Sequence, residues 1–210
     1  MVSHVSRATT VRARTLAAFV AMGARVHVQE STVEVGSDVE VKRMAWHALA
    51  HASRNRDGCV YVEDDILIDP DGWAWAMRQP WPRDRYDLIT LGLIRTTLLA
   101  DDRRHVTPGT PWRVVPMMLG SFHAFRGFHG TQGVWLAASL VDRALAHPEQ
   151  FMNADGTHLT EPQHPAERER RKPCGFDFWL KDYAQRPAAV VPNVVTHDDT
   201  VPSTIPRGAS

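Results

Sequence analysis

The stretch CVYVEDDILI, residues 59–68, sets an apolar run against three consecutive acids, Glu63, Asp64 and Asp65. Adjacent carboxylates repel, and burying them unpaired is costly, so something positive must accompany them. A divalent cation is the economical partner, because hard ions take carboxylate oxygens and can keep phosphate oxygens as further ligands. Side chains at i and i+2 of an extended segment reach the same side, and Glu63 and Asp65 have that spacing. The competing reading is a solvated loop or a helix start, where acids also sit comfortably. The DPDG of residues 69–72 lacks the spacing and closing Glu of a calcium loop and reads as a turn. There is no GxxxxGK[ST] phosphate loop and no CxxC, which argues against P-loop chemistry and a thiolate zinc site.

The elements that would have to position these acids can be traced along the chain. Residues 2–5 read as a short strand. Residues 9–22 read as a helix with Val11, Leu16, Phe19 and Val20 inward, ended by Gly23. Residues 25–29 alternate as a strand. Ser37 and Asp38 offer a cap to a helix over 39–52, and Cys59–Val62 is the next strand. This β-α-β-α-β start predicts an α/β domain whose sheet is mostly parallel and flanked by helices. In such a sheet, ligands gather beyond the carboxyl ends of the strands, where the three acids stand. Further on, the pattern predicts a short helix over 71–77, strands over 87–93 and 112–118, and glycine-rich loop and strand edges over 120–133. It then predicts a helix over 134–146, an exposed loop over 151–173, a helix over Phe176–Tyr183 and a strand over 188–195.

The 210 residues fit one domain, read as 1–200 with a polar tail over 201–210. Lys plus Arg equals Asp plus Glu at 24 each, which argues against general affinity for nucleic acid but leaves room for a local basic patch. Cys59 and Cys174 are far apart and read as free thiols of a cytoplasmic protein. Arg7, Arg12 and Arg14 before the apolar run of 16–24 imitate a short signal peptide, but a helix after a strand explains the same pattern. No run reaches the roughly 18 apolar residues of a membrane span.

Three segments, in this order, resemble GT-A glycosyltransferases, and most nearly glycosyltransferase family 25, the lipopolysaccharide and procollagen type. They are KRMAWHALAHASRNRDGCVYVEDDILI, GTQGVWLAASLVDRAL and FDFWLKDYAQRPAAVVPNVVTHDDTVPSTI. They cover under half of the chain. Glu63 stands where a literal DxD would have Asp, and the first strand starts almost at Met1. The resemblance implies a GT-A, Rossmann-like fold and transfer of a sugar from a nucleotide-diphosphate donor, a UDP-sugar first, with Mn²⁺ or Mg²⁺ at the diphosphate.

Residue by residue, the resemblance implies Asp65 as the first metal ligand, helped by Glu63 or Asp64. His197 would complete the metal shell, with Asp198 and Asp199 as rivals. Asp177, between Phe176 and Phe178, matches the general base of an inverting enzyme, since apolar neighbours raise a carboxylate's pKa. An N-cap is its structural alternative. Donor contacts fall to His4, Ser6 and Arg7 after the first strand, to Glu30 after the second, and to Lys42 and Arg43 on the helix before the acids. Glu63 and Asp64 also face the donor. Arg12 and Arg14 read as a solvated helix face. Trp46, Trp135 and Trp179 read as core, while Trp73, Trp75, Trp81 and Trp112 lie nearer loops, where an indole can stack on a sugar or base. His123, His129 and Gln132 are candidates for the acceptor pocket.

The acceptor is expected to be a saccharide of a surface glycan or a hydroxymethylated pyrimidine in DNA. For DNA, ERERRK over 167–172 and the pair Arg103 and Arg104 are the candidate phosphate contacts. The alternatives are a non-catalytic nucleotide- or metal-binding domain of the same fold and a metal-dependent phosphoryl-transfer enzyme or nuclease, although a nuclease would be expected to gather more carboxylates.

Overall fold

The structure is a computed structural model and describes residues 1–31, 38–54, 57–81, 84–92, 109–117, 132–157 and 176–201. The first half runs β1 (Val2–His4), a 3-10 turn (Val5–Arg7), α1 (Val11–Ala21), β2 (Gln29–Ser31), α2 (Asp38–Ala52), β3 (Cys59–Val62), β4 (Ile66–Ile68) and α3 (Pro70–Arg78). The second runs β5 (Leu88–Thr90), β6 (Arg113–Pro116), β7 (Gly133–Leu136), α4 (Ala138–Leu145), α5 (Phe176–Tyr183), β8 (Pro187–Val191) and β9 (Val195–His197).

A five-stranded sheet in the order β3-β7-β5-β8-β6 forms the centre. Its side chains alternate between two apolar layers, as the pleat of a strand requires. Tyr61, Leu88, Val134 and Leu136 face α2, α4 and α5, whose Leu49, Leu140, Trp179 and Leu180 are buried against them. Val62, Ile89, Trp135, Ala188 and Val190 face the other way, onto Phe19 of α1 and Trp73 and Ala76 of α3. The result is an α/β unit with helices on both faces of a mixed sheet.

The mostly parallel sheet expected from the β-α-β-α-β start is not what forms. Within the central sheet only β5 and β8 pair in parallel, while β3–β7, β5–β7 and β6–β8 are antiparallel. β1 and β2 make a separate parallel pair, and β4 and β9 a separate antiparallel one. The reason lies in GVWL, residues 133–136. A short apolar run cannot be told from a buried helical turn by periodicity, and the run was expected to open a helix at Val134. Instead it is a fully buried strand between β3 and β5, and the helix begins only at Ala138. Gly133 makes room there: a Cβ at that position would lie 2.7 Å from Cγ2 of Val195, and one of the two would have to shift.

Smaller differences have local causes. The alternation of 25–29 yields a strand only at Gln29–Ser31, because β1 offers three partners, with Val2 opposite Gln29 and His4 opposite Ser31. The expected strand over 188–195 is two strands in different sheets, separated around Pro192, which has no N–H to give to a ladder. DPDG is not a free turn but the start of α3. Asp69 caps it, accepting from the amides of Asp71 at 3.0 Å and Gly72 at 3.1 Å, and Pro70 takes the first helical position. Val20, expected to face inward, is 62% exposed. Cys59 is a free thiol, and burial pushes its pKa up to about 11. No helix among the described residues is long and apolar enough to cross a membrane.

Candidate functional site

The three acids stand at the carboxyl end of β3, and the chain turns there into β4. Glu63 is half-buried, and its amide donates to the carbonyl of Gln132 at 3.3 Å. Asp64 and Asp65 are buried. Asp64 is fully engaged: Ser3 Oγ donates to Oδ2 at 2.5 Å and Arg7 Nη1 to Oδ1 at 2.6 Å. Its carbonyl accepts from Thr15 Oγ1 at 2.6 Å. β1, the 3-10 turn and α1 are thus all tied to one residue at the end of β3.

The positive charge that the acids demand is supplied by Arg7, which is itself buried. The same Nη1 that meets Asp64 lies 3.0 Å from Asp65 Oδ2. Burial opposes the arginine's charge, but Asp64 and Asp65 more than offset that and hold its pKa above the ordinary value. Arg7, expected near a donor's phosphates, is here the counter-charge of the acids.

Asp65 is only half satisfied. Its Oδ1 is buried and has no hydrogen-bond partner among the described residues. Its Oδ2 lies 3.4 Å from Nε2 of His197. The register of β4 against β9 creates this proximity, since Ile66 pairs with His197 and the amide of Asp198 donates to the carbonyl of Asp65 at 2.9 Å. On the far side of the imidazole, Nδ1 is 3.1 Å from Asp199 Oδ1, a contact in which the ring nitrogen must donate. With Nδ1 turned to Asp199, Nε2 is the ring nitrogen that faces Asp65. Asp198 turns elsewhere: its Oδ1 accepts from Thr200, and its Oδ2 pairs with Arg14 at 2.7 Å.

The other expected site residues are dispersed. Glu30 pairs with Arg12. Arg43 forks onto Glu40 at 2.7 and 2.8 Å, and Glu40 also accepts from Ser31, so this group ties α2 to β2. Lys42 is fully buried. Ser6 is exposed beside the 3-10 turn's Arg7. His4 ends β1 and Asp177 is the second residue of α5, but neither side chain is among those described. Residues 93–108, 118–131 and 158–175, which hold Arg103, Arg104, His123, His129, Cys174 and ERERRK, lie outside the described residues.

The tryptophans expected near loops are packed into the layer beneath α1 and α3. Trp73 meets Phe19 edge-on at 4.8 Å, Trp75 meets Trp112 at 6.4 Å, and Trp81 stacks on Trp135 at 5.9 Å. Gln132 is buried, and its carbonyl accepts from the amide of Glu63. A half-open cavity of about 1050 Å³ lies toward the start of β3, lined by Cys59, Phe19, His27, His51 and Trp81 among others, and does not include the acids.

Ser3 and Thr15 hold Asp64 in place and are not marked by the sequence, while Arg14, read as part of a solvated helix face, is exposed and pairs with Asp198. Ser3 gives no signal in the sequence, since its role depends on β1 lying beside the end of β3. Thr15 does fall on the side of α1 away from exposed Val20, but the amphipathic pattern of that helix is weak. No protein-family model, no curated protein and no solved structure matches this chain.

Proposed function

We propose that this chain is a metal-dependent glycosyltransferase of GT-A type, moving a sugar from a nucleotide-diphosphate donor, first a UDP-sugar, to a hydroxyl acceptor. The observation that carries the reading is Asp65, a buried carboxylate with one oxygen unpartnered and the other beside His197. Carboxylate and diphosphate oxygens suit Mn²⁺ or Mg²⁺, and the Asp199 contact is the outer support that a ligating histidine ordinarily has. Asp65 and His197 would hold the ion, with Glu63, two residues before Asp65, as a further carboxylate. No group of three or more metal-ligating side chains is preassembled among the described residues, so donor oxygens and water would supply the remaining ligands. When bound, the ion neutralises the charge that develops on the departing diphosphate.

The chain's own residues then have separate tasks. Asp64 fixes β1 and the 3-10 turn, which carry His4, Ser6 and Arg7, against the acids. Asp177 at the start of α5 is the proposed base that takes the acceptor's proton in an inverting transfer. The acceptor is a surface saccharide or a hydroxymethylated pyrimidine in DNA.

One observation favours a second reading, a non-catalytic nucleotide- or metal-binding domain: Arg7 already compensates Asp64 and Asp65 without a metal. The released product separates the two. Nucleotide-sugars are incubated with Mn²⁺ or EDTA and with saccharide or hydroxymethylated-DNA acceptors, and free nucleoside diphosphate is measured. Release that needs Mn²⁺ and is lost in Asp65→Asn supports the transferase; no release with any pair supports the binding domain. Retention on DNA that collapses with added salt would single out the DNA acceptor.

A further inference from the structure

Arg7 occupies the carboxylate that a cation would need. Resting on the metal-dependent reading above, we infer that Arg7 is a built-in counter-ion that yields Asp65 to a divalent cation and then pairs with the nucleotide's diphosphate.

Three features of the site lead there. Arg7 is held unequally, at 2.6 Å from Asp64 Oδ1 but 3.0 Å from Asp65 Oδ2, so it can leave Asp65 and keep Asp64. Asp64 is steadied independently by Ser3 and by its carbonyl's bond to Thr15, so the acid that retains Arg7 is fixed while Asp65 changes partner. Asp65 in turn has a second oxygen, buried and without a hydrogen bond among the described residues, and an imidazole nitrogen 3.4 Å from the first. A guanidinium and a divalent cation on one buried carboxylate repel strongly, because little solvent screens them. The guanidinium's planar fork matches phosphate oxygens as well as it matches carboxylate. Arg7 therefore opposes the cation alone and favours the anionic nucleotide, which couples the two binding events.

The test uses the full chain and its Arg7→Gln variant. Mn²⁺ affinity is measured without nucleotide by the electron paramagnetic resonance of free Mn²⁺, and UDP affinity at saturating Mn²⁺ by calorimetry. The expected result is a change of opposite sign: Mn²⁺ binds about 10-fold tighter in the variant and UDP about 10-fold weaker. A purely structural ion pair would weaken both or change neither, and either result overturns the proposal. Wild type that binds no Mn²⁺ at all overturns the metal reading itself, a result distinct from wild type that binds Mn²⁺ while the variant shows no opposed shift. Should Arg7→Gln not fold, Arg7→Lys keeps the charge and loses the fork. It is expected to leave Mn²⁺ affinity near that of wild type, because the repulsion stays, and to weaken UDP binding, because the fork is lost; unchanged UDP affinity there overturns the proposal.

Discussion

Asp64 gives each carboxylate oxygen to a different part of the chain, one to Ser3 and one to Arg7, and its loss would leave the buried guanidinium with only the longer contact to Asp65 of the two acids. Breaking a buried pair by removing one partner is strongly destabilising, so Asp64→Ala is expected to lose about 3–5 kcal/mol in urea unfolding. Ser3→Ala removes one hydrogen bond to a charged group and is expected to cost about 1.5–3 kcal/mol. A loss from Asp64→Ala no larger than that from Ser3→Ala would contradict the central place given to the Arg7 pair. His47 adds a pH dependence. Burial, with Arg43 adding to it, holds its pKa below the ordinary histidine value, against the pull of Glu40. A lowered folded-state pKa means that the neutral ring is the stable native form. Its contribution is complete above the unfolded value of about 6.5 and is lost as pH falls below that. The melting temperature is expected to drop on going from pH 7 toward pH 5, less steeply in His47→Gln; an unchanged slope would remove His47 from the account. The acids were legible in the sequence as a charge problem, but the partner was not. Arg7 is 57 residues away from Asp64, and nothing local marks it as buried.

The strands carry the geometry from one end of the chain to the other. β9 brings His197 to Asp65 only because it pairs with β4 in one register, and β9 is itself wedged against the central sheet where Val195 contacts Gly133. Gly133→Ala pushes a methyl into Val195. The expected cost is about 1–3 kcal/mol in stability, with β9 and hence His197 displaced. Stability and metal response should fall together in this variant, and an intact metal response would show that β9 does not set the site. At the opposite end of the sheet, Asp87 accepts from Arg143 at 2.5 Å and from the amides of Gln185 and Arg186 at 2.9 and 2.8 Å. It fastens the entry to β8, so Asp87→Ala is expected to cost about 3 kcal/mol or more by thermal or urea unfolding, with no direct effect on the acids. The helices α1, α2, α3 and α5 were legible within a few residues, because apolar spacing and caps are local signals. Strand order was not. β4 and β9 are three residues each, and GVWL shows the same apolar face to a reader whether it forms a helix or a central strand.

At the scale of the molecule, the equal counts of acid and base are not scattered evenly: several pairs converge where β1, α1, β3 and β9 meet, among them Arg7 with Asp64 and Asp65, and Arg14 with Asp198. The sequence shows three acids at the end of a strand, and the structure sets His197 beside one of them. The sequence did not foresee that Arg7 would pair with two of the acids, because that requires β1 to lie beside the end of β3. The central claim is that this place accepts a divalent cation and a nucleotide through Asp65. Its most direct test is thermal unfolding of wild type and Asp65→Asn with a panel of nucleotides and nucleotide-sugars, each in Mn²⁺ and in EDTA. Stabilisation by one nucleotide family that requires Mn²⁺ and vanishes in Asp65→Asn is the predicted result. Equal melting temperatures in Mn²⁺ and EDTA with every nucleotide, in wild type as in the variant, would contradict it.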